Sequence, residues 1–329
     1  MPLQLTRLTL VAAQGLPGQT SPVTILVGPN NSGKSLALRE VESWARGADT
    51  PRLVVDELDA EWPADAPAAI EMIRPFEATP NQGEVPPPDS MLIAPFRLDG
   101  TSNRTWIPRG TLANQLQRGG TSEWLRSNLL AHFVARLDGR ARFDLLQPRA
   151  LQDEQVPAQH HLAALFFDDD ARRRVREIVA EAFPGRHFVI DPTSMTQFRV
   201  GLSDRAPEDS AEEQGWDKRS REFHTAIERI ETLSDGVVCF TGLIAAAISL
   251  PHRVLLVDEP EAFLHPPLAR ILGASLASLT EERGASLVAA THSAEFLMGC
   301  IESGIETTIV RLTYPDLAVS RLAGRALTA

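Results

Sequence analysis

The chain has 329 residues, 43% of which are hydrophobic, and a formal net charge of −11 at pH 7. This is enough apolar material for one large domain or two smaller ones, which excludes a disordered protein. The acidic balance gives no support to an extended positive surface for bare nucleic acid, so any such contact must be local or supplied by a partner.

The N-terminal residues 1–11 alternate leucines with polar residues, which predicts a strand and not a secretion signal. The longest uncharged apolar run, residues 236–250, is shorter than the ~20 residues that cross a bilayer, so it predicts a buried helix. Two cysteines, Cys239 and Cys300, are too few for a disulfide framework. We therefore expect buried free thiols in a reducing compartment, and a cytoplasmic protein without a membrane partner.

A phosphate-binding loop is predicted near the N-terminus. An apolar strand over residues 23–27 leads into G-x-x-x-x-G-K-S, and a helical run over residues 36–44 follows. The glycines let backbone N–H groups surround a phosphate chain, and the helix directs the positive end of its dipole to the same oxygens. We expect Lys34 to reach the β- and γ-phosphates of ATP and Ser35 to bind Mg²⁺. The predicted nucleotide-binding residues of this loop are Gly28, Pro29, Asn30, Asn31, Ser32, Gly33, Lys34, Ser35 and Leu36.

The first half of the chain contains few strong patterns around this loop. Residues 1–45 predict a strand or hairpin pair with a turn at residues 15–18. A stretch rich in Pro, Ala, Asp and Glu predicts mostly loop around one strand and one short helix, and two apolar segments predict a buried strand and a long amphipathic helix. In order, these are loop over 47–90 with its strand at 52–55, the strand over 91–97 and the helix over 121–137.

The middle of the chain predicts a helix over residues 169–183, followed by a hairpin of residues 187–191 and 197–202. Residues 204–220 are rich in charge and lack apolar periodicity, which predicts a mobile surface loop. The basic run of Arg172, Arg173, Arg174 and Arg176 follows three aspartates, so we expect a solvated helix face. Elsewhere His160 and His161 lack the neighbours of a metal site, and His265 is expected to be structural.

From residue 221 onward helices and strands alternate, which is typical of a parallel sheet between helices. The predicted elements are a helix over 221–232, the apolar helix to 250, a strand over 253–257, a helix over 266–282, a strand over 285–290 and a short helix from Ser293. We therefore expect an α/β fold whose nucleotide-binding core comprises residues 1–45 and 221–329. Residues 46–220 form a predicted helical or α+β insert.

Two adjacent carboxylates follow the apolar strand at 254–257, at the sheet edge where open α/β sheets bind ligands. We expect Asp258 to bind Mg²⁺ and Glu259 to orient and polarise the attacking water, because phosphoryl transfer depends on positioning and charge stabilisation. His292 follows the next apolar strand and should lie beside them, in contact with the γ-phosphate or the water. The predicted catalytic residues are Lys34, Glu259 and His292.

The long apolar helix opens with a second candidate phosphate site. Ser234 is a good N-cap, which is a sufficient structural role by itself. A helix N-terminus with a serine, a glycine and free N–H groups can also bind phosphate. Because the chain already has a phosphate loop, this site suggests that Ser234, Asp235 and Gly236 contact the nucleotide of another subunit.

Together these motifs resemble the ABC-type ATPases of the SMC, RecF and OLD kind within the AAA family, and the stand-alone ATPases of bacterial anti-phage and mobile-element systems. The motifs that carry the resemblance are residues 28–35, 233–236, 258–261 with 262–266, and 291–293. The resemblance implies a P-loop NTPase of the ABC head type that dimerises head-to-tail around two ATP molecules. It further implies that Ser234 and Gly236 touch the γ-phosphate of the other subunit, that Glu259 is the catalytic base and that His292 is the switch histidine.

Several features depart from this resemblance. The signature lacks the second glycine found in transport and repair ATPases, and only Gln82 and Gln115, both in irregular sequence, could serve as the family's Q-loop glutamine. The insert has no long coiled coils, which argues against a cohesin-like architecture. Only a short tail follows His292, and Glu306 and Asp316 do not form the acidic cluster of an OLD nuclease, so we expect no nuclease in this chain.

Three functions compete. The first is an ATPase whose ATP-dependent homodimer or larger assembly regulates a separate effector, with a nuclease as the expected effector, in anti-phage defence or DNA maintenance. The insert would be the partner or trigger surface. The second is a nucleotide-gated scaffold with little turnover, or a RecF-like repair ATPase, and DNA contact stays open in either case. The third, a transporter subunit, is disfavoured by the missing Q-loop and by the Leu-His-Pro segment at residues 264–266.

Overall fold

A computed structural model describes residues 4–10 as backbone and residues 21–48, 50–96, 104–118, 122–139 and 141–313 in full. The strands are β1 Gln4–Leu10, β2 Val23–Val27, β3 Val55–Glu61, β4 Ser90–Ile93, β5 Thr105–Pro108, β6 Val134–Leu137, β7 Arg149–Ala150, β8 His187–Asp191, β9 Gln197–Ser203, β10 Glu228–Arg229, β11 Val254–Asp258, β12 Ser286–Thr291 and β13 Thr307–Arg311. The helices are α1 Lys34–Ala45, α2 Ala66–Ile73, α3 Arg109–Arg118, α4 Glu123–Asn128, α5 Ala141–Asp144, α6 His161–Phe167, α7 Asp169–Ala182, α8 Ser210–Gln214, α9 Lys218–Thr225, α10 Asp235–Ser249, α11 Pro266–Glu282 and α12 Ala294–Glu302.

The central sheet is parallel and runs in the order β13-β2-β12-β11-β6. Its inner strands are almost entirely buried and mostly apolar, as expected for a parallel sheet with both faces covered. Along β11, Leu255 and Val257 pack with α10 and α11 on one face, whereas Val254 and Leu256 pack with α1 on the other. This confirms the expected α/β fold, a parallel sheet flanked by helices.

The register of the sheet fixes which side chains meet at its carboxyl edge. Asp258 pairs with Ala290, and Thr291 pairs with Val27, which directly precedes the phosphate loop. The three strands that precede the predicted site residues, β2, β11 and β12, therefore end at the same edge of the sheet. None of the helices in the described part of the chain is long and apolar enough to span a bilayer.

The strand expected at the N-terminus is confirmed as β1, but the alternative of a hairpin pair within residues 1–45 is wrong. β1 pairs antiparallel with β3, while β2 joins the parallel sheet, and the expected turn at residues 15–18 lies outside the described residues. The strand expected at residues 52–55 is β3, which begins at Val55 and extends to Glu61. The sequence did not reveal its extent, because its acidic residues are typical of a loop and are tolerated here in a two-stranded sheet. The strand expected at 91–97 is shorter: β4 ends at Ile93 and pairs with β5, and Arg97 lies outside the described residues.

The long amphipathic helix expected over residues 121–137 is also wrong. The chain forms the short helix α4, a 3₁₀ turn at Leu130–His132 and then the strand β6. β6 runs parallel to β11, and this pairing overrides the local helical periodicity. Part of the expected insert thus supplies a strand of the central sheet.

Most of the helices and strands predicted from residue 169 onward are observed. α7 and the β8–β9 hairpin are confirmed, as are α10, α11 and the alternation of the C-terminal elements. The helix expected over 221–232 is shorter: α9 ends at Thr225, and β10 and a 3₁₀ turn at Ile230–Thr232 follow. Cys239 and Cys300 are free and buried, as expected, and burial raises their pKa values to about 11 and about 12.

The mobile loop expected at residues 204–220 is instead ordered as α8 and α9, whose N-caps are Asp209 and Asp217. Glu213 of α8 is 2% exposed and accepts hydrogen bonds from Arg172 and Arg176 of α7, at 3.1 Å and 2.8 Å. Arg172 is itself 1% exposed, so the expected solvated face is wrong for this arginine, whereas Arg173 is exposed as expected. Hydrophobic periodicity could not find this contact, because the two segments are joined by charge.

The histidines judged structural from sequence make local contacts. Nδ1 of His160 accepts the N–H of Ala163 and caps α6. His161 bonds the carbonyl of Leu145, and burial lowers its pKa to about 4. His265 occupies the N-cap position of α11.

We predict that Glu213→Ala destabilises the fold by ~3–5 kcal/mol, because it removes the buried carboxylate partner of Arg172 and leaves this buried arginine with Asp169, which is exposed. The matched control is Asp170→Ala, which breaks the exposed pair of Asp170 with Arg173 on the same helix. Urea unfolding followed by circular dichroism measures both. Equal stability of Glu213→Ala and the control would contradict a buried charge contact between α7 and α8.

Candidate functional site

The phosphate loop adopts a backbone that requires glycine at two positions. Gly28 and Gly33 have φ angles of 153° and 95°, in the region that L side chains rarely adopt. A Cβ on Gly28 would lie 2.3 Å from the carbonyl oxygen of Leu312, and one on Gly33 would lie 3.0 Å from Val54 Cγ2. Asn31 also has a positive φ of 63°. The loop thus turns sharply between β2 and α1, as its pattern predicts.

Lys34 folds back over this loop. Its side chain is 6% exposed, and Nζ donates to the carbonyl oxygens of Gly28 and Pro29 at 2.8 Å and 2.9 Å. These bonds hold the ammonium group against the loop, in the position where a phosphate-binding lysine is needed.

Ser35 and Asp258 meet although they are far apart in sequence. The hydroxyl of Ser35, in the first turn of α1, donates to Asp258 Oδ1 at 3.0 Å at the end of β11. The two predicted Mg²⁺ ligands are therefore adjacent. A hydroxyl and a carboxylate are hard oxygen donors of the kind that Mg²⁺ prefers, so the residues present fit the ion.

Glu259 and His292 lie side by side at the same sheet edge. Glu259 has a left-handed φ of 49°, and its N–H donates to the Ala290 carbonyl at 2.8 Å. His292 Nδ1 is 3.9 Å from Glu259 Oε1 and 3.3 Å from Glu261 Oε1. The backbone N–H of His292 also donates to Glu261 at 3.1 Å. The placement of His292 expected from sequence is thus observed, and Glu261 orients it.

A cavity of about 450 Å³ extends from the phosphate loop to the carboxylate of Glu259. This volume is within the usual range for small-molecule sites. Its lining consists of Asn30, Asn31, Ser32, Gly33, Lys34, Ser35, Leu36, Arg39, Leu53, Val54 and Glu259. Gly28 and Pro29 contribute through their bonds to Lys34, and Asp258 through Ser35. His292 lies at an adjacent depression with Glu261 and Ser293.

The predicted second phosphate site is at the N-terminus of α10, outside the cavity of the phosphate loop. Ser234 is the exposed N-cap of α10 and makes no side-chain capping bond. Asp235 is exposed, and a Cβ on Gly236 would lie 2.8 Å from the carbonyl oxygen of Phe263. None of the three residues lines the cavity of the phosphate loop. They form a separate surface beside Phe263, which is 57% exposed.

Sequence reasoning missed Glu40, which fixes the second wall of the cavity. This buried carboxylate accepts the N–H groups of Leu53, Val54 and Val55 at 2.6, 3.0 and 2.8 Å. A glutamate inside an amphipathic helix resembles a solvent-facing residue, so no pattern signals this role. The sequence analysis also did not identify Arg39, an exposed arginine that lines the cavity.

The two Q-loop candidates do not reach the cavity. Oε1 of Gln115 accepts the hydroxyl of Ser122 at 2.7 Å, and Gln82 is exposed in a turn. Neither lines the cavity in the described part of the chain. Glu306 lies just before β13, and Asp316 is outside the described residues.

The chain contains two lysines, Lys34 and Lys218, which permits a direct labelling test. We predict that an acyl phosphate of ATP transfers its acyl group to Lys34, because the loop would bring Nζ to the terminal phosphates. Excess ATP should prevent the reaction. Lys218, whose side chain is 83% exposed, is the internal control for unspecific acylation. Peptide mass spectrometry that found Lys34 acylation insensitive to ATP would contradict the site.

Comparison with known proteins places this geometry in a family. Residues 129–298 match the family described as "AAA domain, putative AbiEii toxin, Type IV TA system". No curated protein matches the chain. The Smc head bound to the C-terminal winged-helix domain of ScpA is 13% identical, with 90% of this chain and 91% of that chain covered and a TM-score of 0.50. The Smc head with an extended coiled coil, bound to the C-terminal domain of ScpA and derived from Pyrococcus furiosus, is 12% identical, with 99% and 100% covered and a TM-score of 0.52.

At these identities the structural likeness shows the fold alone. The family match begins after the phosphate loop and covers the segment that carries Ser234, Asp258 and His292. It extends over more than half of the 329 residues. The chain therefore belongs to this family of AAA domains, and its fold resembles that of the Smc heads.

Proposed function

We propose that the chain binds ATP with Mg²⁺ at the cavity of residues 30–36 and hydrolyses it with Glu259 as general base. The observation that carries the proposal is the hydrogen bond between Ser35 and Asp258, which lies beside a cavity lined by both Lys34 and Glu259. Loop, Mg²⁺ ligands and base thus converge on one place, which phosphoryl transfer requires.

Phosphate binding follows from the loop. The N–H groups of the loop and the first turn of α1 donate to phosphate oxygens, and the helix dipole favours their negative charge. Lys34 adds a full positive charge and is already held over the loop by two carbonyls. Glu40 keeps Leu53 and Val54 in place as the opposite wall.

Ser35 and Asp258 would hold Mg²⁺, which supplies charge neutralisation to the phosphate oxygens when bound. Glu259 lines the cavity and is about half exposed, so its carboxylate can reach a water in front of the γ-phosphate. It accepts a proton as the water oxygen bonds to phosphorus and the bond to the β-phosphate oxygen breaks. His292, oriented by Glu261, contacts the γ-phosphate from the neighbouring strand.

We predict that Glu259→Gln lowers kcat by at least about a hundredfold, because the amide cannot accept the proton, while ATP still binds. Phosphate release measures hydrolysis, and a fluorescent ATP analogue measures binding. The control is Glu222→Gln, an exposed carboxylate of α9 that pairs with Lys218. Unchanged hydrolysis in Glu259→Gln would remove Glu259 as the base.

The second part of the proposal is a head-to-tail dimer. The exposed N-terminus of α10 offers the uncommitted hydroxyl of Ser234 and the backbone N–H groups of Asp235 and Gly236. These groups do not line the cavity of their own chain, so a second copy is needed to bring them to a γ-phosphate. The exposed ring of Phe263 beside them adds apolar surface to such a contact. ATP would then join two subunits.

In the Glu259→Gln background, Ser234→Arg should leave ATP binding within about twofold and prevent the ATP-dependent dimer, since the long charged side chain would occupy the interface. Thr225→Arg, which adds the same charge at the exposed end of α9, is the control. Mass photometry with and without ATP counts the dimers. A Ser234→Arg protein that still dimerised with ATP would exclude this surface.

We also propose that dimerisation regulates a separate effector, for which the description of the family as toxin-like AAA domains of type IV toxin–antitoxin systems gives support. The insert of residues 46–220, apart from β6, is the proposed partner or trigger surface. The main alternative is a nucleotide-gated scaffold with little turnover. Turnover by the purified chain separates the two, and an adjacent nuclease-like or toxin-like gene would favour defence.

A further inference from the structure

Arg142 lies behind the catalytic edge of the sheet. It belongs to α5, which follows β6 directly and packs on α10 so closely that a Cβ on Gly242 would lie 3.2 Å from the carbonyl oxygen of Arg142. The side chain is 0% exposed, and Nη2 donates to the main-chain carbonyl oxygen of Asp258. A fully buried arginine thus contacts the residue that precedes Glu259.

This contact fixes one peptide group from both sides. The carbonyl of Asp258 and the N–H of Glu259 belong to the same peptide plane. Arg142 donates to the carbonyl, and the N–H donates to the Ala290 carbonyl at 2.8 Å. Glu259 follows with a φ of 49°, a conformation that is uncommon for a residue with a side chain. Both bonds therefore resist a rotation that would turn the Glu259 carboxylate away from the cavity.

The guanidinium group also lies within an acidic surrounding. Burial lowers its pKa below the ordinary value, while the negative charges of Glu261, Glu259 and Asp258 act in the opposite direction. Its Nε and Nη1 have no hydrogen-bond partner among the described residues. A buried cation with incomplete hydrogen bonding is a poor device for stability, because apolar residues of similar volume fill such sites at least as well. Its position therefore argues for a role at the carboxylates.

We propose that Arg142 is a positioning residue for ATP hydrolysis: by holding the peptide between Asp258 and Glu259, it sets the direction of the Glu259 carboxylate. The inference rests on the proposed function. The same short helix places Phe143 edge-on against Phe263, with ring centroids 5.3 Å apart, so α5 contacts both the carboxylate edge and the surface proposed to meet a second copy.

The test separates activity from stability. Arg142→Met keeps most of the volume and removes the donors, so we expect kcat to fall about tenfold to a hundredfold through misplacement of Glu259. KM and the Kd for ATP should stay within about twofold, and the melting temperature should be unchanged or higher. Arg142→Lys retains one donor and should recover part of kcat. Arg136→Met, on β6, is the control, because Arg136 pairs with Glu42 and Asp138 and not with the catalytic edge.

Each outcome decides the inference. Loss of kcat with an intact melting temperature, partly recovered by Arg142→Lys, supports it. Wild-type kcat in Arg142→Met, or a joint fall of melting temperature and kcat, overturns it. If Glu259→Gln abolishes hydrolysis while Arg142→Met does not, only this inference fails. If the wild-type chain does not hydrolyse ATP, or Glu259→Gln is without effect, the proposed function itself fails.

Discussion

The parallel register of β2, β12 and β11 is the constraint on which the site depends. It places Asp258 and the residues that follow Val27 and Thr291 at one edge of the sheet. The hydrogen bond between Ser35 and Asp258 then joins two segments that are far apart in sequence. A slip by one residue would turn Asp258 to the other face of the sheet and separate this pair. The apolar strand residues that exclude such a slip also form the hydrophobic core. The packing that stabilises the fold therefore also positions the residues of the site.

Charge contacts add to apolar packing in joining the elements of the insert. Glu213 ties α8 to α7, and buried Asp191 lies 2.8 Å from Arg199 and 2.6 Å from Arg229. Arg229 ends β10, and only the 3₁₀ turn at Ile230–Thr232 and one further residue separate it from Ser234. The four-stranded sheet of β7, β8, β9 and β10 is therefore connected almost directly to the N-terminus of α10. A partner that moved this sheet would act on the proposed dimer surface without touching the nucleotide.

The sequence predicted the parts of the molecule in which local pattern and tertiary structure agree. The phosphate loop, the strand before Asp258 and the apolar helix α10 each carry their own signal, and all three were found. β6 and the order in residues 204–220 were missed because pairing with β11 and contact with Arg172 depend on distant partners. Arg142 and Glu40 were missed for the same reason: each is a charged residue whose role is set by a backbone group of another segment.

The central claim is that ATP completes a site shared by two copies of the chain. It is tested most directly by mixing Lys34→Ala, which lacks the loop lysine, with Ser234→Arg, which lacks the trans surface. A head-to-tail pair of the two contains one site with an intact loop from the Ser234→Arg chain and an intact α10 N-terminus from the Lys34→Ala chain. We expect ATP hydrolysis to appear in the mixture although neither variant hydrolyses ATP alone. A mixture that only averages the two separate activities would contradict it.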